Sequence, residues 1–196
     1  MREDTRKHVA EAIETHKRMV AEFEQRGVET IAAVAEAVIR GLERDGTVYL
    51  CGNGGSAADA QHVAAELVGR FRRKRKALAA VALSTDPSVV TCIANDYSYE
   101  QVFARQVEAL VRKADILWAF STSGSSANVV AAAQAAREKG ACVVAFTGRA
   151  NSKLEQIADI CFCAESESTA RSQEVHQLAY HIICDLIDRH FAKALD

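Results

Sequence analysis

Three groups of residues in this 196-residue chain have types and spacings that could do chemistry. Gly52-Asn53-Gly54-Gly55-Ser56 follows the apolar run Thr47–Cys51 and opens an alanine-rich helix that reaches Arg70. Free N–H groups at such a helix start favour an anion, and glycines let a ligand approach the main chain. On the same helix His62 and Glu66 stand four apart, so both point from one face. The second group, Ser121-Thr122-Ser123-Gly124-Ser125-Ser126, also lies between a strand and a helix. An N-cap would use one or two of those hydroxyls, whereas a phosphate cup can use them all. The third group, Gln173, Gln177 and His181, forms a polar stripe at i+4 steps on the last helix, although His181 taken alone reads as a solvated or core residue. Two cups and a His/Glu pair indicate a sugar phosphate and either acid–base or metal chemistry.

Other readings of these residues carry less. Gly52-Asn-Gly-Gly-Ser-Ala57 fits the dinucleotide pattern G-x-G-x-x-A, but no acidic residue ends a second strand at the usual distance, so no nucleotide cofactor is expected. The basic run over 70–76 reads as a solvated loop with at most a steering role. A net charge of −2 argues against nucleic acid or an anionic membrane as partner, and no stretch approaches the ~20 apolar residues of a membrane helix. The charged start Met1–Lys7 has no signal-peptide core, which makes the expected location cytoplasmic. Six cysteines without a C-x-x-C read as small core residues of a reducing compartment.

These residues need a frame. Strands are expected at Thr47–Cys51, Ala79–Leu83, Ile116–Ser121, Cys142–Thr147 and Ile160–Cys163, separated by helical segments including Tyr99–Arg112 and Asn128–Lys139. Alternating strands and helices imply right-handed crossovers and a three-layer αβα sandwich around a five-stranded, mostly parallel, flavodoxin-like sheet. Two helices precede the first strand, about Thr5–Gln25 and a second ending near Glu43, with apolar stripes that a second copy of the chain could cover. His16 lies on the first stripe and reads as a packing residue. The expected organisation is one domain over 1–196. A helical hairpin over 1–45 forms an interface, and a core over 46–196 ends in a helix from about Ala170 to Ala194.

Taken together, Gly52 to His62 with Glu66, Ala94-Asn95-Asp96-Tyr97, Ser121-Thr-Ser-Gly with Ser126, and Gln173-Glu-Val-His176 with His181 resemble the phosphoheptose isomerases of the sugar isomerase (SIS) family, essentially end to end. The resemblance implies a homotetramer with active sites between subunits. It also implies conversion of sedoheptulose 7-phosphate to D-glycero-D-manno-heptose 7-phosphate, for lipopolysaccharide core or other surface glycans. By the same resemblance Ser121, Thr122, Ser123 and Ser126 would hold the phosphate. Asn53, Gly54, Gly55, Ser56, Asn95 and Asp96 would hold the sugar, with Glu66 and Gln173 also touching it. His62, Glu66, Gln173 and His181 would bind one zinc per subunit. An enediol route needs a base over the carbon and an acid or cation at the oxygens; Glu66 as base and His181 as acid is one assignment, and the reverse is open.

The loop after Phe71 departs from the family's usual Arg-Pro, Ser172 replaces a common isoleucine, and Ala170 takes a position that is aspartate in some members. Two further readings follow from the SIS resemblance. One is a non-catalytic protein that binds the bacterial replication initiator, which typically lacks a glutamate at position 66. The other is an isomerase for another sugar phosphate.

Overall fold

The structure, a computed structural model, describes residues 3–192. Five strands form one sheet: β1 (Val48–Cys51), β2 (Ala80–Ala82), β3 (Ile116–Ser121), β4 (Cys142–Thr147) and β5 (Ile160–Cys163). Their order is β2-β1-β3-β4-β5 and every neighbouring pair is parallel. The strands lie at their expected places, shortened by one residue at the start of β1 and at both ends of β2.

Alternation along the strands builds two different cores. Val48, Leu50, Trp118, Phe120, Val144 and Phe146 turn to one face, where they meet Val34 and Val38, Val63 and Leu67, and Ala179 and Ile183. These come from α2 (Val28–Glu43), α3 (Gly55–Val68) and α8 (Thr169–Ala192). Leu117, Ala119, Val143 and Ala145 turn to the other face and meet Val107 of α5 (Ala104–Leu110), Val129 and Ala133 of α6 (Ala127–Glu138) and Leu154 of α7 (Lys153–Ile157). Strands covered on both sides explain why these runs are almost continuously apolar.

The N-terminal helices differ from a hairpin. Gly27 between α1 (Glu3–Arg26) and α2 keeps helical angles, donates to Phe23 O at 2.7 Å and accepts from Ile31 N at 2.9 Å. One residue in that conformation bends the chain but cannot reverse it. α2 is a layer of this chain's own core and needs no second copy to cover it, whereas Val9 and Ile13 of α1 stay about half exposed, at 51% and 52%.

Two helices were not expected from the sequence. α4 (Pro87–Asp96) starts at Asp86, whose carboxylate accepts from the Ser88 and Val89 N–H groups, and α7 starts with a Ser152/Glu155 capping box. The single helix expected over 99–112 is a 3₁₀ turn at Tyr99–Gln101 followed by α5. Residues 193–194, the expected end of α8, lie outside the described residues.

Candidate active site

In this strand order β1 leads through α3 to β2 on one side, while β3 leads through α6 to β4 on the other. The carboxyl ends of β1 and β3 therefore part at a topological switch point, where open α/β sheets bind ligands. Both cups lie there. Asn53 and Asn128 tie them together by a reciprocal amide pair, each donating to the other's oxygen at 2.8 Å, and the Tyr99 hydroxyl donates to Asn53 Oδ1 at 3.0 Å.

The glycine loop is shaped by its main chain. Gly54 has φ +55°, a conformation that L side chains rarely adopt, and sits exposed at the N-cap of α3 with no side-chain cap bond. A β-carbon at Gly55 would overlap the Gln173 amide, which is pressed against the helix start. Ser56 is buried and donates its N–H to Asn53 O at 3.0 Å.

The serine loop is shaped by its side chains. Ser121 Oγ lies 3.0 Å from Ser126 Oγ and 3.4 Å from Ser123 Oγ. Ser126 occupies the N-cap of α6, yet its hydroxyl makes no capping bond and turns inward to Ser121. Thr122 is half-buried beside them and makes no side-chain hydrogen bond among the described residues; its carbonyl accepts from Gly148 N at 2.9 Å. Inward-turned hydroxyls at the start of a twelve-residue helix suit an oxyanion.

Glu66 and His181, 115 positions apart in sequence, come together with His62 between α3 and α8. One ligand atom from each of His62, Glu66 and His181 lies within 4.8 Å of the other two. His62 Nε2 is 3.1 Å from Glu66 Oε1 and 3.4 Å from His181 Nε2. Behind it, the Tyr180 hydroxyl lies 3.1 Å from His62 Nδ1 and 3.4 Å from Asp59 Oδ1. Burial pushes the Asp59 carboxyl up to about 6, and the Tyr180 hydroxyl donates to its Oδ1. With its one proton directed at Asp59, Tyr180 accepts from His62 Nδ1–H, so the ring presents Nε2 to Glu66 and His181. Two imidazole nitrogens and a carboxylate oxygen gathered this closely form a group that could hold a cation.

His181 is half-buried, and Phe71 stacks on its ring at 5.4 Å between centroids and 24° between planes. Burial, then the neighbouring His62, holds its pKa below the usual histidine value, so the ring is neutral at pH 7.

The chain as a whole has counterparts among known proteins. The SIS domain family model covers residues 12–148. Phosphoheptose isomerase of Roseiflexus sp. (strain RS-1) is 52% identical over 172 residues, which is 86% of this chain and 87% of that one. Phosphoheptose isomerase of Thiobacillus denitrificans is 53% identical over 79% of this chain and 80% of its own. The chain belongs to the phosphoheptose isomerase family. Among solved structures, the phosphoheptose isomerase from Neisseria gonorrhoeae superimposes with a TM-score of 0.89 at 44% identity, covering 94% of this chain and 99% of that one. That from Francisella tularensis gives 0.91 at 34% identity, covering 94% and 98%.

Within this member of the family, not every expected site residue converges. Gln173 is at the glycine loop, seven residues and about 10 Å along α3 from His62, so a single chain brings together three of the four expected zinc ligands. Asn95 and Asp96 are exposed at the end of α4, where Asn95 Nδ2 donates to Asp96 Oδ1 at 2.8 Å. Asp59, Tyr180, Asn128 and Phe71 contact the expected site residues and were missed from sequence. Asp59 had a usable signal, since it stands three residues before His62 on the same helical face.

Proposed function

We propose that the crevice interconverts sedoheptulose 7-phosphate and D-glycero-D-manno-heptose 7-phosphate through an enediol. The observation that carries this is the meeting of Glu66 with His181 beside a hydroxyl cup on the adjoining strand end. The phosphate would sit on Ser121, Thr122, Ser123 and Ser126. The sugar chain would pass Gln173, Asn53 and the 54–56 amides toward the Glu66/His181 pair, with Asn95 and Asp96 at the rim.

The chemistry moves two hydrogens. A base takes a proton from C1, and the electron pair becomes the C1=C2 bond as the C2 carbonyl oxygen takes up a proton. Returning a proton to C2 while the C1 hydroxyl loses its own gives the aldose. Glu66 is assigned as the carbon base and neutral His181 as the group that shares a proton with the oxygens. Two imidazoles and a carboxylate within 4.8 Å also suit a zinc ion, held by His62, Glu66 and His181. When bound, it would polarise the substrate oxygens as a Lewis acid. Gln173 of the same chain stands too far along the helix to complete that set, and as a ligand it would have to reach in from another subunit.

The half-exposed Val9 and Ile13 of α1 support self-association, which this reading takes to be a homotetramer working in the cytoplasm and supplying heptose for lipopolysaccharide or related glycans. No helix among the described residues is long and apolar enough to cross a membrane. The test is aldose formation from sedoheptulose 7-phosphate, with and without added zinc. Turnover is expected; its absence in both conditions would reject the reading.

A further inference from the structure

The basic run after α3 is not a uniformly solvated loop. Arg72, Lys74 and Lys76 are exposed, but the Arg75 side chain is 0% accessible and its ion-pair partner Asp188 is 1% accessible. The Arg75 guanidinium directs its donors to the C-terminal end of α3 and the loop beyond it. Nη2 donates to Glu66 O at 2.6 Å, and Nη1 donates to Leu67 O at 2.9 Å, Lys76 O at 2.9 Å and Gly69 O at 3.3 Å. Nε donates to Asp188 Oδ1 at 2.7 Å. The other oxygen of Asp188 accepts the Arg72 and Arg73 N–H groups at 2.6 and 2.8 Å. Those acceptors on α3 are the C-terminal carbonyls that a helix leaves without internal partners.

The geometry points to Arg75, with Asp188, as a positioning residue that aims both members of the catalytic pair. This inference rests on the isomerase reading of the site. One arm reaches Glu66 directly, because Arg75 holds that residue's own carbonyl. The second arm reaches His181 through Phe71: Asp188 pins the two amides that follow Phe71, and Phe71 stacks on the His181 ring. Asp188 also lies on the same helix as His181, seven residues on, so one ion pair joins α3 to α8 directly behind the site. A lysine at 75 keeps the charge but cannot make the fork, so it can hold Asp188 or the carbonyls but not all of them. A shift of the order of 1 Å between base and substrate carbon costs about 100-fold in rate.

The experiment measures kcat and KM on sedoheptulose 7-phosphate for the wild-type protein, Arg75→Lys and Asp188→Asn, each corrected for the folded fraction by circular dichroism. Expected are a fall in kcat of ~10- to 100-fold and a KM within about 3-fold of wild type, because the serine cup is untouched. A folded variant with wild-type kcat would overturn the inference, as would one whose only change is a raised KM. In the unmodified protein, hydrogen exchange gives a check that needs no variant. The Arg72 and Arg73 amides should be protected as strongly as the middle of α8, and exchange at the rate of an open loop would overturn the clamp. Wild-type protein that fails to turn over the ketose would instead reject the isomerase reading and leave the protection result to decide the clamp.

Discussion

The two halves of the crevice solve the same problem, holding a charged ligand at a strand end, with opposite materials. On the β3 side the side chains do it: Ser121, Ser123 and Ser126 gather their hydroxyls ahead of α6. On the β1 side the main chain does it: Gly54 and Gly55 bare the start of α3, and the polar side chains come two turns later as His62 and Glu66. On the proposed isomerase reading, the first half would make contacts that are the same in substrate and transition state, and the second would place its groups where charge changes during reaction. Binding and chemistry would then be separated in space, with the Asn53–Asn128 amide pair joining the two loops. Variants on the two sides should fail in different ways.

The largest effect is expected from Glu66→Gln, which keeps size and removes the base. Its kcat should fall by about 10²–10⁴-fold, with binding of sedoheptulose 7-phosphate retained in a calorimetric titration. Loss of binding with kcat preserved would merge the two halves. Replacing Ser121 and Ser123 with Ala should instead raise KM by about 10- to 100-fold and leave kcat within a few-fold, since each hydroxyl bonds to a charged group in both states. A fall in kcat alone would move that loop into the chemistry.

The smallest effect sharpens a second contrast, between His181 and His176, one and a half turns apart on α8. His176 is fully buried, its Nε2–H donates to Thr147 O at 2.9 Å, and burial pushes its pKa down to about 4. The folded state therefore binds fewer protons than the unfolded chain between pH 4 and 6.5. Stability is complete above 6.5 and declines toward pH 4, by at most about 1.4 kcal/mol per pH unit. Asp188 acts in a lower window. Burial alone would raise its pKa, but the Arg73 and Arg72 amides and the Arg75 guanidinium outweigh that and hold it below the usual carboxylate value. Its contribution is present above the ordinary Asp range and is lost only as pH falls through that lowered value. Urea midpoints across pH 4–7 should show the His176 slope, and His176→Gln should flatten it. An unchanged slope in the variant would assign the effect elsewhere.

The strands were legible because each is an uninterrupted apolar run bounded by turn residues, as in Ile116–Ser121 and Cys142–Thr147. Glu66 and His62 were legible as a four-residue step on one helix, and their meeting with His181 was expected only from the resemblance. α4 and α7 were missed although Asp86-Pro87 and the Ser152/Glu155 box announce them, because both helices are short, ten and five residues. Arg75 was illegible for a different reason. Nothing in a run of six cations tells which one folds inward, and that depends on Asp188 being carried to it by α8. His176 lies between Gln173 and His181 on α8, and its neighbours Phe146, Phe162 and Thr147 make it a core residue tying α8 to the end of β4.

The most direct test of a Glu66-driven enediol is solvent hydrogen exchange in D₂O at saturating sedoheptulose 7-phosphate, followed by proton NMR. The account predicts that the wild-type protein forms aldose carrying deuterium at C2, while Glu66→Gln binds the ketose and incorporates none into substrate or product. Deuterium entering at the wild-type rate in Glu66→Gln would contradict it.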